Sequence, residues 1–501
     1  MCGILFLVGT ENAEVWEQVH FPKLQPRGPD GSKFLIKDNF CYGFHRLAII
    51  NTLDSGMQPF VKDNMTLICN GEIYNYKDFS SCAVRSDVEV ILELDWENPE
   101  EFISKLDGDF AFVLTKGDNY LVARDHVGVR PLFYGINSDR IPIAFSSEAK
   151  VLYGAPEIIE IKVFPPATLY NSLTKSWTPI PFQKTMEIEN CQKNIREYLE
   201  KAVVKRLEHS DRPVGILCSG GVDSAILTSL VARHTTPSRF HVFTMEYNVG
   251  LSEDSIYAKM LCSSLGFNHT VVKFNEADIK NSIETVIKII ESYDPNTIRA
   301  SIPMYLLAKY IKENTDIKVI LSGEGADELF AGYNYFNLVN SGEDLQEETK
   351  RLVKNIHQFD LLRADRCFAS QGLEVRVPFL DKDFISNILS IDGKEKGFVN
   401  GGEKSLLRDS FREMLPELVR FRILDRPKER FSDGCGLNYI PTLLRYIGEG
   451  ARSLKEQLQK EKAFDKKIFT DNYGENYHWI LTRELPSWAQ KEGDVKNISM
   501  N

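Results

Sequence analysis

Val214-Gly215-Ile216-Leu217-Cys218-Ser219-Gly220-Gly221-Val222-Asp223-Ser224 is the stretch on which the reading of the chain turns. Val214 to Leu217 are apolar or glycine, as in a strand buried on both faces. Ser219, Gly220 and Gly221 follow, none with a side chain larger than a hydroxymethyl. Val222 to Leu230 then reads as a helix. A strand, a tight glycine turn and a helix N-terminus make an anion site, because backbone N–H groups and the helix dipole both face the ligand. A glycine pair alone would be an ordinary strand-to-helix turn. No Gly-Lys-Ser/Thr follows, so this is not a Walker A loop. The nearest approach to one runs from Gly397 to Lys404, but Glu403 stands where the lysine belongs. That segment predicts a turn before a helix.

The chain has 501 residues, more than one core holds, so two or three domains are expected. Hydrophobic residues at 43% and charged residues at 26% are ordinary for a globular protein. A net charge of −11 argues against nucleic-acid binding, and a nucleotide site must therefore rest on individual Lys and Arg residues near the motifs. The 9 cysteines include no C-x-x-C pair and the histidines no metal-ligand spacing, which predicts reduced thiols in a cytoplasmic enzyme. The apolar start from Met1 to Gly9 has no basic segment or room for a cleavage site. No apolar run approaches the ~20 residues that span a bilayer, so no membrane partner is expected.

Cys2 directly follows Met1, and both Cys2 and Gly3 are small enough for the initiator to be removed. The mature chain would begin with a thiol and a free amine on one residue, a nucleophile with its own base. Downstream lie Arg27-Gly28-Pro29-Asp30-Gly31, His45-Arg46-Leu47-Ala48-Ile49-Ile50 (read as a strand), Asn70-Gly71-Glu72, and Ser86-Asp87-Val88-Glu89, the last read as a capping box. Together these strings resemble the glutaminase domain of the class II glutamine amidotransferases, from residue 2 to about 155. The resemblance implies a sandwich of two antiparallel sheets between helices. It also implies that Cys2 attacks the glutamine amide. Asn70 and the Gly71 N–H would hold the oxyanion, Arg46 the α-carboxylate, and Asp87 and Glu72 the α-ammonium, with Leu47, Ala48, Ile49 and Ile50 lining the site. Pro26 stands where that family usually has His, and Arg85 where Gly is common.

After a connector and a helix over Cys191 to His209, strands alternate with helices, which predicts a parallel α/β sheet with its ligand at the strand carboxyl ends. Ser-Gly-Gly-Val-Asp-Ser at 219–224 resembles the pyrophosphate loop of the ATP pyrophosphatases. With Ser322-Gly323-Glu324-Gly325-Ala326-Asp327, Arg299, Val377-Pro378-Phe379-Leu380-Asp381 and Arg426-Pro427-Lys428, it resembles the synthetase domain of the glutamine-hydrolysing asparagine synthetases. That resemblance implies ATP as substrate with Mg²⁺, and amidation of aspartate through a β-aspartyl adenylate. Cys218, Ser219, Gly220, Gly221, Asp223, Ser224, Met245, Ser322 and Gly323 would bind ATP. Asp223 and Asp327 would hold the metal, and Arg299, Asp327 and Asp381 the aspartate. Glu324 would act at the β-aspartyl carbonyl and Lys428 on the phosphoryl charge. Relatives are often homodimers, and the resemblance extends that expectation here. The fold class expected is two-domain, α+β then α/β: an N-terminal-nucleophile glutaminase sandwich over 2–185, then a parallel-sheet ATP-pyrophosphatase domain over 191–501. Amidation of a different carboxylate is the alternative activity. Residues 451–463, rich in Lys, Glu and Gln, read as a solvated helix, and the tail after about 440 as having no catalytic part.

Overall fold

The structure is a computed structural model and describes residues 1–79, 84–182, 185–248, 252–396, 402–426, 439–448, 450, 453–475, 479–480 and 484–489. The first sheet has six antiparallel strands in the order β10-β8-β9-β1-β3-β2. They are β1 (Gly3–Val8), β2 (Gly31–Lys37), β3 (Phe40–Arg46), β8 (Phe133–Ile136), β9 (Pro142–Ser146) and β10 (Glu160–Val163). The second, ordered β12-β11-β7-β6-β5-β4, uses β4 (Phe60–Lys62), β5 (Met65–Ile73), β6 (Gly108–Lys116), β7 (Asn119–Arg124), β11 (Thr168–Asn171) and β12 (Ser176–Pro179).

Side chains alternate along each strand and so serve two cores. Ile4 and Phe6 of β1 meet Ile68 of β5, Val113 of β6 and Val122 of β7 between the two sheets. Leu5 and Leu7 point the other way, onto Trp16, Phe21 and Leu24. The outer face of the second sheet carries Leu67, Cys69 and Phe112 against Val88, Ile91 and Ile103 of two short helical segments. The result is the helix–sheet–sheet–helix layering that the resemblance implied.

The third sheet is wholly parallel, in the order β15-β14-β13-β16-β17. Its strands are β13 (Val214–Leu217), β14 (His241–Tyr247), β15 (Asn268–Phe274), β16 (Val319–Leu321) and β17 (Glu374–Arg376). The chain runs from β13 outward to β14 and β15, then returns to the other side of β13 for β16 and β17. The switch point therefore lies between β13 and β16, where a parallel sheet opens a crevice at its carboxyl edge. Helices α1 (Cys191–Glu208) and α2 (Val222–His234) bracket β13 in sequence. Helix α3 (Glu253–Leu265) starts on a Ser252 cap whose side chain accepts the Ser255 N–H. No helix among the described residues is long and apolar enough to cross a membrane, and all described cysteines are free thiols.

Three local expectations fail. β3 ends at Arg46, and Leu47 to Ile50 is not strand. Its backbone bonds go instead to the Asp30 carboxylate, to the Asp211 N–H and to the Arg212 guanidinium. Ser86 makes no capping bond, because its hydroxyl donates to Asp87 and Glu89 is drawn to the Arg85 N–H. The helix expected at 451–463 is longer, Leu454–Tyr473, and it is not a solvated element: Glu461, Asp465 and Phe469 are buried at 1%, 1% and 0% exposure.

Buried ion pairs join the two halves. Arg27 donates from both terminal nitrogens to Asp365, at 2.7 and 3.0 Å. Arg366 pairs with Glu148 at 2.8 Å and Glu291 at 2.9 Å, and Glu291 also accepts the N–H groups of Ala149 and Lys150. Breaking a buried pair on one side strands a charge, which costs about 3–5 kcal/mol. Asp365→Asn should therefore lower unfolding stability by about 3 kcal/mol, read as a fall in Cm in denaturant titration. A change under about 0.5 kcal/mol, the size of an ordinary surface substitution, would show that Arg27 finds other partners.

Candidate functional site

Two centres emerge. The first lies between the antiparallel sheets and the synthetase half. The Gly3↔His45 register of β1 on β3 sets Cys2 beside Arg46 at the strand ends. The Cys2 sulfur then meets the chain just past β3, 3.5 Å from the Leu47 N–H and 3.8 Å from the Leu47 carbonyl. Burial pushes the Cys2 thiol up, and the neighbouring α-ammonium opposes this. Met1 is present and buried, its ammonium 3.5 Å from Glu374.

Asn70 lies within β5 at 0% exposure, and neither its Nδ2 nor its Oδ1 has a hydrogen-bond partner. A buried polar group left this way costs about 1–3 kcal/mol, which ordinary packing does not explain. Gly71 must be glycine here: a Cβ would stand 2.4 Å from the Asp109 carbonyl and 2.7 Å from the Phe110 Cα. The Asp87 carboxylate accepts the Ile73 N–H at 2.6 Å and the Ser86 hydroxyl at 2.9 Å. Burial pushes it up to about 6 against those bonds. Glu72 is pushed well above the carboxylate range by burial, then by Asp87 and Glu374, with Arg376 Nη2 opposing from 3.5 Å. Arg46 is turned onto its own loop, donating to the Leu53 carbonyl at 2.6 Å and to the Asn51 carbonyl. Leu47, Ala48 and Ile49 are buried and Ile50 half-buried in the same loop.

The second centre is a cavity of about 220 Å³ at the switch point. Cys218, Ser219, Gly221, Asp223 and Ser224 line it from β13 and α2, Met245 from β14, and Ser322, Gly323 and Glu324 from the end of β16. The loop is drawn tight by its own side chains: Ser224 Oγ lies 3.1 Å from the Ser219 N–H and donates to the Gly221 carbonyl at 3.2 Å. Gly220 adopts φ +76°, and a Cβ there would stand 2.6 Å from the Asp254 carbonyl. Only glycine meets both demands. Glu324 receives Arg363 Nη2 on both oxygens, at 2.9 and 2.8 Å. Burial pushes the Glu324 carboxyl up while Arg363 opposes.

Lys404 is the residue that motif reading missed. It sits in left-handed backbone at φ +55°, just before the helix Ser405–Phe411, and is 2% exposed. Its ammonium bridges Asp223 Oδ2 at 2.5 Å and Asp327 Oδ1 at 2.6 Å. Burial works against the charge, but the two carboxylates hold the lysine above its ordinary range. Of the turn expected from Gly397 to Lys404, residues 397–401 lie outside the described residues and Glu403 and Lys404 form a turn before the helix; the contact of Lys404 with a loop 181 residues away leaves no local signal. Arg363, Arg426 and Tyr333 also line the cavity without having been singled out as site residues. Arg426 pairs with Asp254 at 2.7 Å beside the glycine turn. The Tyr333 hydroxyl donates to Glu328, a carboxyl pushed up to about 8 by burial, Asp360 and Asp327.

Asp381 is not in this cavity, which corrects the aspartate-binding expectation. It caps a helix, Lys382–Ser390, and its Oδ2 is taken by Lys205 and Arg206, both at 2.8 Å. Burial pushes the carboxyl up, but Arg206 and Lys205 outweigh it and hold it well below the usual range. Asp381 thus belongs to the joint with Asp107 and Asp109. Arg299 does line the cavity, with its Nε 2.8 Å from Glu461 Oε1. Lys428 lies outside the described residues.

The comparisons with known proteins cover the chain. The model of the glutamine amidotransferase domain matches residues 1–202, and the asparagine synthase model matches 194–343 and 337–492. A probable glutamine-hydrolysing asparagine synthetase of Acanthamoeba polyphaga mimivirus is 34% identical, over 98% of this chain and 98% of that protein. The glutamine-hydrolysing asparagine synthetase of Homo sapiens is 34% identical over 97% of this chain and 96% of that protein. Among solved structures, the allosteric regulatory enzyme of purine biosynthesis covers 54% of this chain and 80% of its own at 16% identity, and its TM-score of 0.32 carries no weight for the fold. Full-length relatives at this identity, together with two domain models that meet near residue 200, place the chain in one family: it belongs to the glutamine-hydrolysing asparagine synthetases.

Proposed function

We propose that the chain makes L-asparagine from L-aspartate, ATP and glutamine in two chemically separate centres, with AMP, pyrophosphate and glutamate as the other products. The observation that carries the reading is the pairing, in one chain, of an orphaned buried amide near an N-terminal thiol with a glycine-turn phosphate cradle faced by a buried lysine. At the first centre, loss of Met1 frees the amine of Cys2, which takes the thiol proton. The sulfur attacks the glutamine amide. The negative oxygen is met by Asn70 Nδ2 and the Gly71 N–H, ammonia leaves, and water releases glutamate. Asp87, whose carboxylate accepts the Ile73 N–H and the Ser86 hydroxyl, serves as the partner of the glutamine ammonium, with Glu72 beside it. Leu47 to Ile50 form the wall beside the sulfur, and Arg46 serves the carboxylate.

At the second centre the α-phosphorus of ATP is attacked by the aspartate β-carboxylate. The Ser219–Ser224 loop and Lys404 retain the pyrophosphate that leaves, and the backbone at Cys218, Met245, Ser322 and Gly323 serves the nucleotide. Asp223 and Asp327 both line the cavity, and carboxylate oxygens are donors that suit Mg²⁺. Asp223 and Asp327 would hold it, and when bound it neutralises phosphate charge. Glu324, steadied by Arg363, faces the acyl carbon and takes the proton of incoming ammonia, while Arg299 holds the aspartate carboxylate. The division at 185–191 follows the change from antiparallel to parallel sheet, and the free thiols support a reducing, cytoplasmic setting.

Cys2→Ala should abolish glutamine-dependent asparagine formation while keeping at least half of the ammonium-dependent rate; loss of both would mean the centres are not separable. The titration of Asp87 gives a second test. Its ionised form binds the ammonium, so KM for glutamine should fall as pH rises through about 6 and level off above 7. Asp87→Asn should raise that KM about tenfold or more and remove the step, measured as glutamate release from pH 5 to 8. A step that survives in Asp87→Asn would belong to another group.

A further inference from the structure

Arg299 stands in the first turns of the helix Pro295–Asn314 and lines the cavity with Asn296 and Ala300. The start of that helix is fixed by Asp294, whose carboxylate accepts both the N–H and the hydroxyl of Thr297, at 2.8 and 2.7 Å. The guanidinium is fixed from elsewhere. Glu461, on the C-terminal helix Leu454–Tyr473, accepts from Arg299 Nε at 2.8 Å and from Nη2 through its other oxygen. The side chains are 11% and 2% exposed, so this is a buried, two-point ion pair. Glu461 thus grips the side edge of the guanidinium at two points, which fixes the plane of the group.

One turn on, Asp465 is 1% exposed and neither of its oxygens has a hydrogen-bond partner. Burial, then the charge of Glu461, pushes it well above the carboxylate range. Burial also pushes the Glu461 carboxyl up, and Arg299 opposes this. The helix that carries both acids is firmly seated: Phe469 packs on Tyr293 at 5.4 Å, and the Tyr473 hydroxyl donates to the Lys288 carbonyl at 2.6 Å.

We propose that Glu461 is a positioning residue for aspartate: it locks the Arg299 guanidinium in the orientation that receives the substrate carboxylate, so the C-terminal helix sets amino-acid affinity at the synthetase centre. This rests on Arg299 as the aspartate partner, and Arg299→Lys tests that reading separately. Arg299→Lys should raise KM for aspartate about tenfold or more. Glu461→Gln should raise the same KM about tenfold while kcat stays within about threefold, and should add no further increase in the Arg299→Lys background. Should Glu461→Gln fail to fold, Glu461→Asp retains the charge and should raise the KM by about threefold to tenfold. A KM equal to wild type in the Glu461 variants, or an undiminished further increase in the double variant, overturns the positioning role. A lower KM overturns it as well, because it would make Glu461 a competitor of aspartate for Arg299. If Arg299→Lys leaves the KM unchanged, the aspartate reading of Arg299 fails and the positioning role fails with it.

Discussion

Arg27 spans the joint between the two halves and places both terminal nitrogens on Asp365, while Arg376 on the edge strand β17 is held by Glu374 and faces Glu72 of the glutaminase centre. Arg206 sits between Asp109 on one side and Asp381 on the other. All of these side chains are almost fully buried. Ion pairs removed from water gain little net stability, but separating them is expensive. The joint is therefore set in one arrangement. That constraint matters to the proposed function because the nitrogen source proposed at Cys2 and the carboxyl activation proposed at the switch point belong to different sheets and different layers. Neither centre works for the other unless the seam holds them in register.

The same economy of charge shapes the nucleotide cavity. A chain with net charge −11 has to receive a polyanion. It does so with a few cations that are individually matched: Lys404 between Asp223 and Asp327, Arg363 on Glu324, Arg426 on Asp254, and Arg299 on Glu461. Each is fixed by an acid before any ligand arrives. Ligand charge then meets donors already in place, which is the arrangement that costs least to reorganise during reaction.

The parts legible in the sequence are those whose geometry is local. The glycine turn is legible because φ and close approach at Gly220 allow one residue type only, and Asn70-Gly71 because both act from one strand. The parts that were not legible depend on residues far apart in the chain. Lys404 reaches its carboxylates only after the sheet has formed. Asp381 has a substrate-like context in sequence, yet its oxygens are consumed by a helix start and by two cations about 175 residues earlier. Residues 47 to 50 are apolar like a strand, but their backbone is claimed by Asp30, Asp211 and Arg212. The C-terminal helix hid its buried face because two of the residues spaced four apart on it, Glu461 and Asp465, are acids, and charge at that spacing reads as solvent exposure.

The central claim is that the carboxyl of aspartate is activated by direct attack on the α-phosphorus in the cavity of Lys404, before nitrogen from Cys2 reaches it. Aspartate labelled with ¹⁸O in its carboxylates, turned over with ATP and glutamine, tests this directly by mass spectrometry of the nucleotide product. The account predicts AMP carrying one ¹⁸O atom per turnover, with unlabelled pyrophosphate. Unlabelled AMP, or label recovered in inorganic phosphate beside ADP, would contradict it.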